Sequence, residues 1–333
     1  MDCKKSNKYR PIRQLLYIVC MLVLSSCTWV QDDTDDCPNG FWLKLHYTYN
    51  ILDVEAAPRY INDANVNIYD SEGHFVKSLY ATQSELLAND YKVRIDNLPE
   101  GDYQFVVWSG LDRSAYAIIG NTQDINNFRI SLINNGGVNN TLLPPLYHGY
   151  LSSVHYSDAY TVEDVELEKN TNHMNCLIAS VDSTVVMDPA EYTLKLEANN
   201  GVMDAYNNIA TEERTMYMPY IATQIKIEDP DYGNLNGLEY NISTLRLLAD
   251  NDSRIILEKN STGQTIFNVS FSEYISKVGY YYTNLGRELT LQEYLDRQDL
   301  YTAVFFLSED LDQLLQLQVN TWRLRASNHL KLK

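Results

Sequence analysis

The chain has few positive charges. Its 333 residues include 26 Lys and Arg against 44 Asp and Glu, which gives a net charge of −18 at pH 7. A protein that binds nucleic acid or an anionic membrane through surface charge needs a basic face, and this composition does not supply one. We therefore expect no nucleic-acid partner.

The chain also lacks a hydrophobic run that could cross a bilayer. The run at residues 15–24 has ten apolar residues. As a helix it would rise about 15 Å, half of the hydrocarbon thickness. Basic residues precede it, and Ser25 and Ser26 follow it. This order is typical of a cleaved secretory signal peptide, which we assign to residues 1–26.

Motifs for common catalytic chemistry are missing as well. The sequence has no Gly-x-Ser-x-Gly elbow, no P-loop, no His-Glu-x-x-His and no paired Cys-x-x-Cys. Among its six histidines only His148 and His155 come near a metal-ligand spacing, and surface or interface positions explain them better. We expect no catalytic residue, no cofactor and no metal.

Cysteine is scarce, with five in the chain. Cys3 and Cys20 lie inside the signal peptide. In an exported protein Cys37 and Cys176 could form a disulfide, but they could equally be two separate buried thiols. The sequence leaves both possibilities open.

The remaining cysteine, Cys27, directly follows Leu24-Ser25-Ser26. This tetrapeptide resembles the lipobox of bacterial lipoproteins. The resemblance implies diacylglycerol on the Cys27 sulfur, cleavage before Cys27 and an acylated new N-terminus. The alternative is an ordinary signal peptide with a cysteine near its cleavage site by chance.

An acidic segment follows, and residues 27–37 together read as a lipidated cysteine and its tether. Its carboxylates repel one another and keep the segment extended and solvated. It also resembles the export signal of surface lipoproteins in Bacteroides-like bacteria, which would place the chain on the outer face of the outer membrane; retention in the periplasm is the alternative. The residues that carry this signal are Asp32, Asp33, Asp35 and Asp36.

The rest of the chain predicts an all-β protein. From residue 41 to residue 49 apolar and polar residues alternate, as in a half-buried strand. Similar short segments recur between turns, and 26 tyrosines suit strands with wet outer faces. One helix is predicted at residues 289–298, where Thr290 and Glu293 form a capping box. We expect one β-sandwich at residues 38–160 and another at 161–333.

Several segments together resemble the FimB-like minor fimbrillins, the anchor subunits of Bacteroidales fimbriae. The resemblance implies two tandem transthyretin-like β-sandwich domains, and a non-catalytic role in attaching a fimbria to the outer membrane and limiting its growth. The segments are DCPNGFWLKLHYTYN (36–50), LPEGDYQFVVWSGL (98–111), KNTNH (169–173), TLRL (244–247), QEYLDR (292–297) and VNTWRLR (319–325).

Such an anchor needs a contact surface for the fimbrial stalk subunits, and an unpaired sheet edge is the simplest one. We expect that edge to be the strand after Cys37 or the final strand at residues 319–324. The alternative function is a surface lipoprotein that binds glycan on exposed aromatic side chains. Tyr280, Tyr281 and Tyr282 are the best candidates for that platform, although ordinary packing explains them too.

Overall fold

The computed structural model describes residues 40–277, 281–282, 286–320 and 322–325. The signal peptide, Cys27, the tether aspartates (Asp32, Asp33, Asp35 and Asp36) and Cys37 lie outside the described residues, as does Tyr280. Lipidation, the export signal and the pairing of Cys37 with Cys176 therefore stay predictions. Cys176 itself is fully buried, and burial raises the pKa of its thiol to about 12.

The described chain is built mainly of strands, numbered here in chain order. They are β1 (Phe41–His46), β2 (Asp63–Asp70), β3 (Phe75–Thr82), β4 (Lys92–Ile95), β5 (Gly101–Ser109), β6 (Tyr116–Ile119), β7 (Arg129–Leu132), β8 (Val138–Asn139), β9 (Tyr147–Tyr156), β10 (Thr161–Glu166), β11 (Glu168–Lys169), β12 (Thr171–Ser180), β13 (Tyr192–Ala198), β14 (Val202–Asp204), β15 (Thr215–Tyr217), β16 (Ile221–Asp229), β17 (Gly233–Leu245), β18 (Arg254–Lys259), β19 (Gln264–Ser270), β20 (Tyr281–Tyr282), β21 (Arg287–Glu288), β22 (Leu300–Leu307), β23 (Leu314–Val319) and β24 (Trp322–Arg325).

The helices are short. They are α1 (Ala57–Tyr60), α2 (Gln83–Ala88), α3 (Phe271–Ser276) and α4 (Leu291–Arg297), with 3₁₀ turns at Ile125–Asn127 and Pro189–Glu191. The predicted helix is α4. Thr290 is its N-cap and accepts a hydrogen bond from the Glu293 amide. The all-β sandwich fold expected from the sequence is confirmed.

Two sheets form the first sandwich. One has the strand order β11-β9-β5-β2-β3, and the other has the order β10-β1-β4. The alternating residues of β1 bury Phe41, Leu43 and Leu45 between the two sheets, where Phe41 stacks on Phe105 of β5. Burial of this apolar face holds the sheets together.

The second sandwich pairs a six-stranded sheet, β16-β17-β12-β22-β23-β24, with a five-stranded sheet, β19-β18-β13-β15-β8. One core lies between them, and the stacked rings of Phe267 and Phe305 belong to it. The same core includes Trp108 and Tyr116 from the first half of the chain. The second core therefore extends to side chains from the first half of the chain, whereas the core between the two sheets of the first sandwich is a separate cluster.

Strand exchange also links the two halves. We expected a new domain to begin at residue 161, but the strand found there, β10, pairs in parallel with β1 of the first sandwich. In the opposite direction, β8 pairs with β15 of the second sandwich, and β7 pairs with β14. Pairing thus keeps residues 161–169 with the first sandwich.

One expected edge is wrong. The strand after Cys37, β1, lies in the centre of its sheet, because β10 and β4 occupy its two sides. An alternating pattern shows that one face of a strand is buried, and it does not show which strands lie on either side. β1 therefore offers no free edge to a partner.

Candidate interaction surfaces

The six-stranded sheet ends in two edge strands, β16 and β24. Along an edge strand, alternate residues direct their backbone N–H and C=O groups away from the sheet, where another strand can pair with them. These two edges are therefore candidate contact sites for another protein.

In place of the final strand expected at residues 319–324, the structure has a hairpin of β23 and β24. β23 and β24 pair antiparallel, with Leu317 opposite Leu324, and Asn320 turns the chain with a φ of +53°. The Asn320 side chain fixes the turn, since its Oδ1 accepts from the Thr302 amide at 3.0 Å and its Nδ2 donates to the Tyr294 hydroxyl at 3.2 Å. The turn places β24 at the edge.

β16 is exposed over its first half. Its residues 221–224 are all exposed, and Ile221 has 47% of its surface accessible to solvent. Farther along the strand, Ile227 is buried in a small cluster on the outer face of the sheet with Leu235 and Phe306. One half of β16 is thus anchored by packing, and the other half is held mainly by its pairing with β17.

A buried charged cluster joins the two sandwiches. Arg246, just after β17, donates from Nε to Asp296 Oδ1 at 2.8 Å and from Nη2 to Asp296 Oδ2 at 2.9 Å. The same Nη2 lies 2.7 Å from Glu168 Oε1 of β11, and Nη1 donates to the Asn207 carbonyl at 3.1 Å. This residue set, which we call the joint, connects β11 of the first sandwich with α4 of the second.

Arg297 extends the joint toward the start of the chain. Its Nη1 donates to the Asn50 carbonyl and to Asp53 Oδ1, both at 3.1 Å, and its Nε donates to Glu293 at 3.0 Å. Its guanidinium also lies 4.3 Å from the centre of the Tyr49 ring, a cation–π contact. The loop after β1 is therefore held directly by α4.

Within the joint, the Glu168 carboxyl has a raised pKa. Burial raises the pKa of this carboxyl to about 7; the nearby Asp296 adds to the rise, and Arg246 opposes it. Two carboxylates share one guanidinium here, so the second carboxylate gains less from it than a single partner would. Glu168 therefore keeps its proton to a higher pH than an ordinary glutamate does.

Three of the segments that carry the family resemblance meet at the joint. KNTNH follows Glu168 and contains Asn170, whose Nδ2 donates to Asn207 at 2.7 Å. TLRL contains Arg246, and QEYLDR contains Asp296 and Arg297. The sequence alone assigns these residues no role, and their place in three separate segments that resemble the anchor family is the only signal it offers.

A polar cleft of about 740 Å³ opens beside the joint. Its lining includes Asn207, Asn208, Arg214, Arg246, Asp250 and Gln292. Within the described residues, no three His, Cys, Asp or Glu side chains come together as metal ligands would, and no helix there is long and apolar enough to cross a membrane. His148 and His155 do not form a site: His148 is buried and bonds to the Ala205 carbonyl, whereas His155 is exposed beside Asp102.

The fold therefore defines the class: an all-β protein of two joined sandwiches, whose six-stranded sheet ends at β16 and β24 among the described residues. The sequence profile of the fimbrillin-A associated anchor proteins Mfa1 and Mfa2 matches residues 34–328. The chain belongs to this family of fimbrial anchors, as the sequence resemblance indicated.

Solved structures share the fold. A candidate polysaccharide-binding protein from Bacteroides thetaiotaomicron superposes with a TM-score of 0.75 at 23% identity, covering 88% of this chain and 99% of that chain. A candidate adhesin from Bacteroides ovatus gives 0.75 at 20%, covering 90% and 98%. The fimbrial anchor protein Mfa2 from Porphyromonas gingivalis gives 0.66 at 17%, covering 87% and 100%. No curated protein sequence matches the chain.

Proposed function

We propose that the protein is a non-catalytic outer-membrane lipoprotein that attaches a fimbria to the cell surface and limits its growth. Membership of the anchor family over residues 34–328 carries this proposal. The lipobox-like Cys27 lies just ahead of the matched region, where a membrane attachment would leave both sandwiches free to hold the fibre.

The lipid on Cys27 would supply the attachment, and Asp32, Asp33, Asp35 and Asp36 would direct the protein to the outer face. A diacylglycerol with an additional acyl chain buries enough CH₂ groups for stable anchoring, whereas one chain binds only marginally. The folded part then needs only to resist being pulled away from the fibre.

Contact with the stalk subunits would occur along a sheet edge, and β24 is the edge at the position expected from the sequence. Backbone pairing between subunits gives a series of hydrogen bonds without requiring any catalytic group. A subunit that is fixed to the membrane and holds the fibre at its base would stop further addition at that end.

Deletion of the gene tests this function. Electron microscopy of the cells should then show few attached fimbriae, and the culture medium should contain detached fibres longer than those sheared from the parent strain. Complementation with the intact gene should restore attachment. Fibres that remain attached and of normal length in the deletion strain would overturn the anchor function.

Glycan binding is the second candidate. The polar cleft beside the joint offers amide, carboxylate and guanidinium groups, which suit sugar hydroxyls, and a similar fold occurs in a candidate polysaccharide-binding protein. A glycan array probed with the purified protein tests it. Binding that is lost in Asp250→Ala, which changes the cleft lining, would favour this function; no bound glycan would remove it.

A further inference from the structure

The first half of β16 has an unusual surface. The residues from Tyr220 to Ile225 read YIATQI: six uncharged residues, without Pro or Gly, in a chain of net charge −18. Short segments with β-branched and aromatic residues and no charge are those that pair most readily with another strand. Among the described residues no strand pairs with the outer side of β16, and its residues from Ile221 to Gln224 are exposed.

Charged residues mark where the open part of the edge ends. Lys226 and Glu228 are exposed on the same strand, immediately beyond the uncharged segment. Charges on an edge strand discourage pairing with other strands, so their absence from residues 220–225 leaves one short section unprotected.

We propose that β16 pairs antiparallel with β16 of a second copy of this chain, with Thr223 opposite Thr223. The joined sheets would then run continuously through both molecules. This contact is isologous, so it closes after two copies and does not build a filament. It goes beyond the anchoring function, and it requires the stalk to bind at an edge other than β16.

The sequence of β16 favours this register. With Thr223 opposite itself, Ile221 of each copy faces Ile225 of the other on the outer face of the sheet. These isoleucines continue the apolar cluster formed by Ile227, Leu235 and Phe306. Directly opposed β-branched residues stabilise antiparallel pairs by about 0.2–1 kcal/mol each.

Two other registers bring like charges together. A shift that centres the pair on Lys226 sets two ammonium groups opposite each other, and one that centres it on Glu228 does the same with two carboxylates. In the Thr223 register Lys226 instead faces Tyr220 of the second copy, where its ammonium group can lie against the ring. Charge therefore disfavours the centres at Lys226 and Glu228, and the facing isoleucines favour the centre at Thr223.

The contact is small. It uses residues 221–225 of each copy, against roughly 20–30 residues a side in a stable interface. Pairing would be weak between free molecules, particularly because both carry net negative charge. Attachment to one membrane raises the effective concentration of the two copies, as linking does for other weak contacts.

Cysteine cross-linking in membranes tests the register directly. Thr223→Cys and Glu228→Cys are each made in the full chain together with Cys37→Ser, so that Cys37 cannot cross-link. Cys176 is kept, because it is buried and its burial opposes ionisation of the thiol. Opposed Cβ atoms lie about 5 Å apart in an antiparallel pair. Two Thr223→Cys copies are therefore expected to join under mild oxidation or a short bismaleimide. The Glu228 positions would lie ten residues out of register, about 33 Å apart, and are expected not to join.

The expected result is a product of twice the chain mass with Thr223→Cys, at least tenfold more abundant than with Glu228→Cys. Equal yields, no such product, or a product only with Glu228→Cys would overturn the proposal. A two-headed cross-linker, whose maleimide reacts with the thiol at position 223 and whose amine-reactive ester then captures a fimbrial stalk subunit, would also overturn the proposal by showing a different occupant. Fractionation before cross-linking separates this failure from a failure of membrane attachment.

Discussion

Arg246 and Asp296 form a two-point ion pair inside the protein, with Nε and Nη2 of the arginine 2.8 and 2.9 Å from the two carboxylate oxygens. The Arg246 side chain is 14% exposed and that of Asp296 is 4% exposed. Two parallel hydrogen bonds fix direction as well as distance. Since Arg246 also contacts Glu168, this pair sets how α4 of the second sandwich lies against the end of the first.

Asp296→Ala should destabilise the protein strongly. It leaves the buried Arg246 without its two-point partner, and removal of one member of a buried ion pair costs about 3–5 kcal/mol. Urea unfolding of both proteins measures the loss. The control is Glu273→Ala, which breaks the exposed pair with Lys277. An exposed pair is worth about 0–1 kcal/mol. Equal losses in the two variants would contradict a structural role for the joint.

Glu168→Gln should change how stability depends on pH. In the folded protein the pKa of Glu168 is raised to about 7, against an ordinary value of 4.5. Between these values the unfolded chain loses the proton and the folded chain keeps it, so this group lowers stability as pH rises from about 4.5 to 7. Glutamine removes that loss.

Thermal unfolding of both proteins at pH 5 and pH 7 measures the effect. The melting temperature of Glu168→Gln relative to the natural protein should be higher at pH 7 than at pH 5. A difference that is the same at both values would show that Glu168 does not titrate in this range.

Thr290→Ala should loosen α4. The Thr290 side chain accepts a hydrogen bond from the Glu293 amide at 3.1 Å, and loss of such a cap costs about 1 kcal/mol. Because α4 carries Asp296 and Arg297, hydrogen exchange should also rise at the loop 49–53 that Arg297 holds. Thr290→Ser keeps the acceptor oxygen and should behave like the natural protein. A change confined to the helix would mean that α4 does not stabilise the loop.

Local signals in the sequence predicted local structure well. The alternation from residue 41 located β1, and the Thr290–Glu293 spacing located α4. The predictions that failed concern how strands pair with segments that are distant in the sequence. β1 has the pattern of any half-buried strand, so its central position could not be read from it. The final strand became a hairpin because Asn320 adopts a positive φ, which asparagine tolerates more readily than most residues.

The joint was harder to predict, because its residues are far apart in the chain. Arg246 and Asp296 are each common surface residues by type, and only the fold shows that they meet and are buried. A lone arginine after a strand and a lone aspartate in a helix give no sign of their partners. Both residues lie in segments that resemble the anchor family, and this resemblance indicates that the segments matter without showing what the two residues do.

The central claim is that the protein holds a fimbria to the membrane through Cys27. The most direct measurement compares Cys27→Ala with Cys37→Ala, a second cysteine of the same region, in cells that carry either variant in place of the natural gene. Immunoblots locate the protein in membrane or soluble fractions, and electron microscopy counts attached fimbriae. The account predicts that Cys27→Ala alone releases both the protein and the fimbriae. Membrane-bound protein and attached fimbriae in Cys27→Ala cells would contradict it.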